Sequence, residues 1–291
     1  MYNVDSANDI PEISIIIPVR INSLNDNSLI RLKRLLQIIP SNFEIIVVDD
    51  GSLGKISKII RQIVATRSYG SSVYHYLPTF WKIFSLARAR NAGLYLASHQ
   101  IIILHDVDFI GTDQIYLNIA QQVKNFDLIN QKYKFFCVPI AFLTKIGTEN
   151  YIKNFESNKN DNYWLFEEDL YGDDNLKFIV EGSSCIVANK NHLLEIGGHD
   201  NDYIGHGAED FELLHRLSQY FPIGVKPEQY SKNTGSGFIK EYVGFRAYFA
   251  LYGKEVRKNG CMLVHLFHKK RKSFFYYRHK INFAKLNKLM S

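Results

Sequence analysis

The stretch Ile101-Ile102-Ile103-Leu104-His105-Asp106-Val107-Asp108 decides how this chain is read. Four apolar residues make a strand-length run, and two carboxylates one residue apart close it. In strand geometry Asp106 and Asp108 would point to the same face. Working back toward the N-terminus, the pattern predicts a helix over Ile83–Ala97, a strand over Val73–Leu77 stopped by Pro78, and a helix over Ile56–Ala65. Before these come a buried strand over Glu44–Asp50, a helix over Leu29–Ile39 and a first strand over Ile13–Arg20. In the other direction a helix over Gln114–Val123 precedes a strand over Lys134–Leu143. Such β-α alternation implies a mostly parallel central sheet flanked by helices. Ligands bind such sheets beyond the carboxyl ends of the strands. Arg20, Asp49-Asp50-Gly51-Ser52 and His105–Asp108 all fall at those ends.

Beyond Leu143 the pattern is looser. Residues 146–180 are polar and aromatic and read as an excursion from the sheet. A strand is expected over Glu181–Ala188, and a helix over Asn191–Ile196 that Gly197-Gly198 would end. Helices follow over Glu209–Tyr220 and Tyr242–Arg257, then a strand over Cys261–Phe267. Asn233–Gly237 reads as a flexible loop.

Composition narrows the function classes. The chain has 291 residues, 46% of them hydrophobic, which excludes a disordered protein. No apolar run approaches the ~20 residues of a transmembrane helix. Met1–Pro11 is polar and acidic, unlike a secretory signal, so the expected location is the cytoplasm. Cys137, Cys185 and Cys261 are scattered and odd in number, so they read as reduced core residues rather than a disulfide or zinc framework. The net charge of +6 is unevenly placed. All ten basic residues after Glu255 lie in a stretch without acids, leaving 25 basic against 29 acidic residues before it, a net of −4. A nucleic-acid-binding protein would carry its basic face on the folded body, so no nucleic-acid partner is expected. A basic tail instead suits phosphates, on a nucleotide or on an anionic membrane surface.

Several constellations can carry chemistry. Asp106 and Asp108 can share one hard cation that also takes oxygens from a substrate diphosphate; the bland alternative is a solvated strand end. Asp49–Ser52 is either a turn or a set of hydrogen-bonding groups for a nucleoside. Glu209 and Asp210 open a helix, as dipole-favoured acids or as a general base beside an acceptor hydroxyl. Gly205 and Gly207 would let the backbone approach a sugar. His265 is a packed imidazole or a further metal ligand, and the cations after His268 would face the diphosphate. Neither G-x-G-x-x-G after the first strand nor G-x-x-x-x-G-K-[ST] occurs, which disfavours dinucleotide oxidoreductases and P-loop enzymes. A G-x-S-x-G hydrolase elbow is also missing.

Ile13–Arg20, Val47–Ser52, Ala87-Arg88-Ala89-Arg90-Asn91-Ala92-Gly93 and His105–Asp108 together resemble the family 2 glycosyltransferases of the GT-A fold. Glu181–Arg216, with Gly197–Asp200 and Gly205–Asp210, is similar to the C-terminal motif of galactosyltransferases and chondroitin-type polymerases. The resemblance implies an α/β GT-A domain over residues 1–270, Rossmann-like, with a basic aromatic helical tail over 271–291. It implies that Pro18, Val19, Arg20 and Asp50 line the nucleoside pocket and that Arg90 lies on the diphosphate side. Asp108, and Asp106 through water, would hold Mn2+ or Mg2+ with His265, while Val107, His268 and Lys269 would lie near the nucleotide. Asp210 matches the base of inverting members and Glu209 the carboxylate beside it. The family usually writes Trp-Gly-Gly-Glu-Asp where this chain has His206-Gly207-Ala208-Glu209-Asp210, so an aromatic sugar platform is missing there.

The expected reaction is an in-line displacement that moves a hexose or N-acetylhexosamine from a UDP-sugar to a glycan acceptor, with inversion. The expected setting is bacterial capsule or lipopolysaccharide-type synthesis. The tail, if amphipathic, would lie on the inner face of the cytoplasmic membrane and suit a lipid-linked acceptor, or else pack as an ordinary helix. Two rival readings are a sugar-nucleotide nucleotidyltransferase and a non-catalytic glycan-binding protein. The first lacks its Gly-rich loop after Arg20, and the second leaves the paired carboxylates, His265 and Asp210 without a common purpose.

Overall fold

The computed structural model describes residues 10–156, 174–182, 184–234, 239–269 and 276–291. Its centre is a six-stranded sheet ordered β3-β2-β1-β4-β9-β6. The strands are β1 (Ile13–Val19), β2 (Phe43–Asp49), β3 (Ser72–Tyr76), β4 (Ile101–Leu104), β6 (Phe135–Cys137) and β9 (Ile186–Asn189). β1, β2, β3 and β4 run parallel, and β9 alone is antiparallel to its neighbours β4 and β6. A second sheet, β5-β12-β7-β8, combines Phe109–Ile110, Leu263–His265, Ile140–Leu143 and Leu176–Val180.

β1 is buried along its whole length. Ile13, Ile15, Ile17 and Val19 enter one core and Ile16 the other, so both faces of the sheet are covered. Pro18 is tolerated in this central strand for a simple reason. The Ile16 carbonyl accepts from His105 N at 3.0 Å, so residues of that parity face β4. β4 ends opposite Ile16, and Pro18 lies beyond it with no ladder bond to donate.

The helices sort onto the two faces. α1 (Ser28–Ile38) buries Arg31, Leu32, Leu35 and Leu36, and α2 (Gly54–Ala65) buries Ile56, Ile60 and Val64. α4 (Asp113–Asn125) joins them, with Thr112 capping it through Ile115 N. α3 (Leu86–Leu96) covers the opposite face. Its inward residues are small because it lies close on β1: a Cβ at Gly93 would collide with Ile16 Cγ2. The expected start of this helix at Ile83 moves to Leu86, because the Ser85 side chain accepts from Arg88 N and caps it.

Three other boundaries differ from expectation. The strand expected over Lys134–Leu143 is two strands in two sheets. Between them Val138 N bonds Cys185 O and the Pro139 carbonyl accepts from Leu263 N, so the chain crosses from one sheet to the other. The strand expected over Glu181–Ala188 begins only at Ile186, as β9, and β8 (Leu176–Val180) lies before it in the stretch read as an excursion. Near Gly182 the backbone passes so close to Phe249 that a Cβ would meet its carbonyl carbon at 2.7 Å. Within the polar excursion, Lys145–Glu156 forms α5, with Tyr151 2% exposed. Residues 157–173 of that excursion fall outside the described residues, as do 235–237 of the expected loop and 271–275 of the tail.

The remaining helices are α6 (Lys190–Glu195), α7 (Glu209–Tyr220), α8 (Phe245–Lys258) and α9 (His279–Met290). α9 docks on the body through Asn282 and Leu286, 2% and 0% exposed. A two-stranded ribbon of β10 (Asn233–Thr234) and β11 (Val243–Gly244) precedes α8. The three cysteines are free and buried. No described helix is long and apolar enough to cross a membrane.

Candidate active site

The carboxyl ends of β1, β2 and β4 converge, and around them lie most of the residues singled out above. Val19 pairs with Asp49, and the turn after β2 brings Asp50 against Arg20. Asp50 is wholly buried. Its carboxylate accepts from Arg88 Nε at 2.8 Å and Nη2 at 2.7 Å, Thr79 Oγ1 at 2.7 Å and Ser85 N at 3.0 Å. Arg20, 8% exposed, donates to the carbonyls of Asp50, Thr79 and Lys82. Pro18 and Val19 are buried beside them. Asp50 and Arg20 therefore fasten the loop 79–85 to the sheet edge, and that loop exposes Phe80 and Trp81 in edge-to-face contact at 4.7 Å. Arg88, which supplies two of the bonds to Asp50, was not singled out; its spacing from Arg90 on α3 was the available signal.

Asp106-Val107-Asp108 sits in a tight turn between β4 and β5, where Phe109 N bonds Asp106 O at 3.0 Å. The strand geometry expected of the pair does not extend to it, and the two carboxylates reach different partners. Asp106 accepts from Arg90 Nη2 at 2.8 Å and from Ser184 Oγ at 3.2 Å. Asp108 pairs with Arg31 and lies 3.5 Å from His268 Nε2. Val107 packs half-buried against the core, and His105 is a core group bonded to Tyr116 OH at 3.1 Å.

Asp108, His265 and His268 offer ligand atoms that all lie within 4.8 Å of one another, the candidate cation group among the described residues. One carboxylate and two imidazoles suit a divalent first-row metal, so the residues present fit Mn2+. Burial pushes the His265 imidazole down to about 4, so it is neutral with a lone pair to give. Its ring is stacked on Phe142 at 4.4 Å and edged by Phe109 at 5.8 Å, which sets its orientation. His268 was expected beside the nucleotide, and the fold brings it to the cation group as well; the H-x-x-H spacing was its signal. Lys269 lines an adjoining cavity of about 700 Å³ together with Arg31, Arg34, Lys145 and Thr148. These four cations share the lining with Asp26, Asp108 and Glu149, and Arg31 and Lys145 pair with Asp108 and Glu149.

Arg90, expected on the diphosphate side, is engaged by carboxylates. Its guanidinium is buried and spans two acids, with Nη2 on Asp106 and Nη1 on Asp210. α3 thus ties the turn after β4 to the first turn of α7. Asp210 keeps 19% of its side chain exposed, and Glu209 only 2%. Burial pushes the Asp210 carboxyl up to about 7, with Glu209 and Asp106 adding to the rise and Arg90 opposing it. Burial would also raise Glu209, but the His206 imidazole 3.7 Å away and Arg90 hold it below the usual carboxylate range. Two adjacent carboxyls are thereby split into a permanent anion and a group that titrates near neutrality, the property required of a general base.

A family model described as glycosyltransferase like family 2 matches residues 14–289. No curated protein matches the sequence. Among solved structures, one similar chain is the mannosyltransferase PcManGT from Pyrobaculum calidifontis, in complex with GDP-Man and Mn2+. It is 16% identical, with a TM-score of 0.44, covering 72% of this chain and 52% of that one. Another is S. aureus TarS 1-349, 15% identical with a TM-score of 0.41, covering 71% of this chain and 55% of that one. The present chain thus spans about half the length of these solved chains. Since the family model covers nearly all of the chain, the protein belongs to the glycosyltransferase-like family 2 and has the family's GT-A type of α/β fold.

Proposed function

We propose that this protein is a metal-dependent, inverting glycosyltransferase that moves a hexose or N-acetylhexosamine from a UDP-sugar to a glycan acceptor, in capsule- or lipopolysaccharide-type synthesis. One observation carries the reading: Arg90 holds Asp210 of the acceptor motif and Asp106 of the D-x-D turn on a single guanidinium. The base is thereby tied to the turn whose other carboxylate, Asp108, belongs to the cation group, which suits one displacement at one anomeric carbon.

Asp108, His265 and His268 would hold Mn2+ or Mg2+, with Asp106 reaching it through water. The bound cation supplies Lewis-acid neutralisation of the departing diphosphate. Arg31, Arg34 and Lys269 add fixed positive charge along the cavity beside it. Asp210 takes the proton from the acceptor hydroxyl as that oxygen attacks, and a carboxyl near 7 is well matched to this work. Glu209 stays ionised and hydrogen-bonds Gly207 N at 2.7 Å, steadying the motif. The outward residues of α9, Lys280, Ile281, Lys288 and Leu289, would meet an anionic leaflet on the inner face of the cytoplasmic membrane, which suits a lipid-linked acceptor.

A panel of nucleotide sugars, scored for Mn2+-dependent release of the nucleoside diphosphate, tests the activity. Asp210→Asn should lower transfer by about 10²–10⁴-fold while nucleotide binding persists. Full transfer by that variant would remove Asp210 as the base.

A further inference from the structure

We infer that the C-terminal segment from Tyr276 to Met290 is a working part of the acceptor site, and that Asn282 is a positioning residue for Glu209 and Asp210. The inference rests on the glycosyltransferase reading for its kinetic consequence, but its structural content stands apart from that reading.

The motif 205–208 has an unusual backbone. Gly205, Gly207 and Ala208 all have positive φ, at 76°, 122° and 70°. Ala208 pays a steric cost for that conformation, since it carries a Cβ. Such a turn persists only if its surroundings over-determine it. The C-terminal segment supplies much of that constraint. His206 N bonds Tyr276 O at 2.8 Å, Arg278 N bonds His206 O at 3.3 Å, and His206 and Tyr277 form a parallel bridge. The His206 ring lies flat on Tyr276 at 5.7 Å, and Tyr276 lies flat on Phe84 at 5.9 Å.

Asn282 closes the arrangement from the first turns of α9. Its Nδ2 donates to Gly207 O at 2.8 Å and to Ile204 O at 3.2 Å, and the side chain is 2% exposed. One carbonyl lies inside the strained turn and the other on the residue before it, so one amide group braces the turn from its entry to Gly207. The glycines read differently in this light. A Cβ on Gly205 would strike Tyr276 O, and one on Gly207 would meet the His279 ring at 3.3 Å. The close approach they allow here is to the chain's own C-terminal segment.

Leu286 anchors α9 beneath, and Phe283 lies against Phe211 and Phe245 of α7 and α8. The helix thus holds the turn on one side while packing against α7 on the other. Asp210 lies in the first turn of α7, and an error of 1 Å in a reacting group costs on the order of 10²-fold in rate.

The test pairs a structural and a kinetic readout on the full chain carrying Asn282→Ala or the near-isosteric Asn282→Leu. Hydrogen exchange should accelerate at least tenfold at the amides of residues 204–210, while the amides of β1, β2 and β4 keep wild-type protection. With donor, Mn2+ and acceptor, turnover should fall about 10–100-fold, whereas the dissociation constant for UDP with Mn2+ should stay within twofold. Unchanged exchange at 204–210 in Asn282→Leu would overturn the inference, as would a loss of nucleotide affinity in step with turnover. If the wild-type chain transferred no sugar, the glycosyltransferase reading would fail while the exchange result still judged the role of Asn282.

Discussion

Replacing Arg90 with glutamine should move the acid limb of the rate–pH profile upward, and the structure sets how far. Arg90 is buried and contacts Asp210 directly, so it favours the ionised base. Two unit charges about 4 Å apart interact by about 4 kcal/mol at an effective dielectric of ~20. Asp106 shares the same guanidinium and Asp210 is 19% exposed, so only part of that falls on the base. Taking a third to two thirds leaves about 1.4–2.7 kcal/mol, or about one to two pKa units at 1.36 kcal/mol each. The direction follows from charge: without the cation, ionising Asp210 beside Glu209 and Asp106 becomes harder. With the wild-type carboxyl near 7, the limb should move to about pH 8–9. Transfer at pH 7 should then fall about 5–50-fold and recover near pH 9.5. Arg90→Lys keeps the charge but cannot span both acids, so its limb should move less. The assay is initial transfer rate against pH at saturating donor and Mn2+, on protein whose folding is checked by circular dichroism. A limb that stays in place while the rate drops equally at every pH would refute the coupling of Arg90 to Asp210.

Three further outcomes are expected. His265→Ala and His268→Ala should each weaken Mn2+ binding by about 10–100-fold or more, read by titration with Mn2+ and electron paramagnetic resonance; unchanged affinity would remove that imidazole from the cation group. Burial, reinforced by Lys226 and Arg216, pushes His215 down to about 4, so the native state resists its protonation. The stability this gives is complete above about pH 6.5 and is lost as pH falls toward 4. By pH 5 it costs about 2 kcal/mol, which His215→Gln should abolish in urea midpoints compared at pH 7 and pH 5. Ile281→Asp with Leu289→Asp should halve or more the co-sedimentation of the full chain with phosphatidylglycerol vesicles; equal partitioning of the wild type and the variant would end the membrane role for α9.

Much of this protein was legible in its sequence because local signals and burial agreed. Continuous apolar runs such as Ile13–Val19 and Phe43–Asp49 announce strands buried on both faces, and these strands carry Arg20 and Asp50 to the binding edge. α7 was bounded correctly at Glu209 and Tyr220 because an acidic first turn precedes an amphipathic run. Where pattern and packing parted, reading failed. α5 carries a glycine in its first turn, at a place where a Cβ on Gly147 would strike the Asn175 carbonyl. The split at Val138-Pro139 depends on two sheets claiming adjacent residues, which no local window contains.

Sequence by itself determined the α/β class and the gathering of Arg20, Asp50, Asp106 and Asp108 at the carboxyl ends of the strands, because strand period, helix caps and apolar runs are local properties. Tertiary structure alone decided how those residues are shared. It turned Asp106 toward Arg90 and Asp108 toward His265 and His268, because a tight turn, not a strand, carries the pair. It made Arg90 a bridge between carboxylates 104 residues apart in the chain. It also gave Gly205 and Gly207 to the C-terminal segment. Each of these is a contact between distant stretches, and such contacts exist only once the core has brought those stretches together.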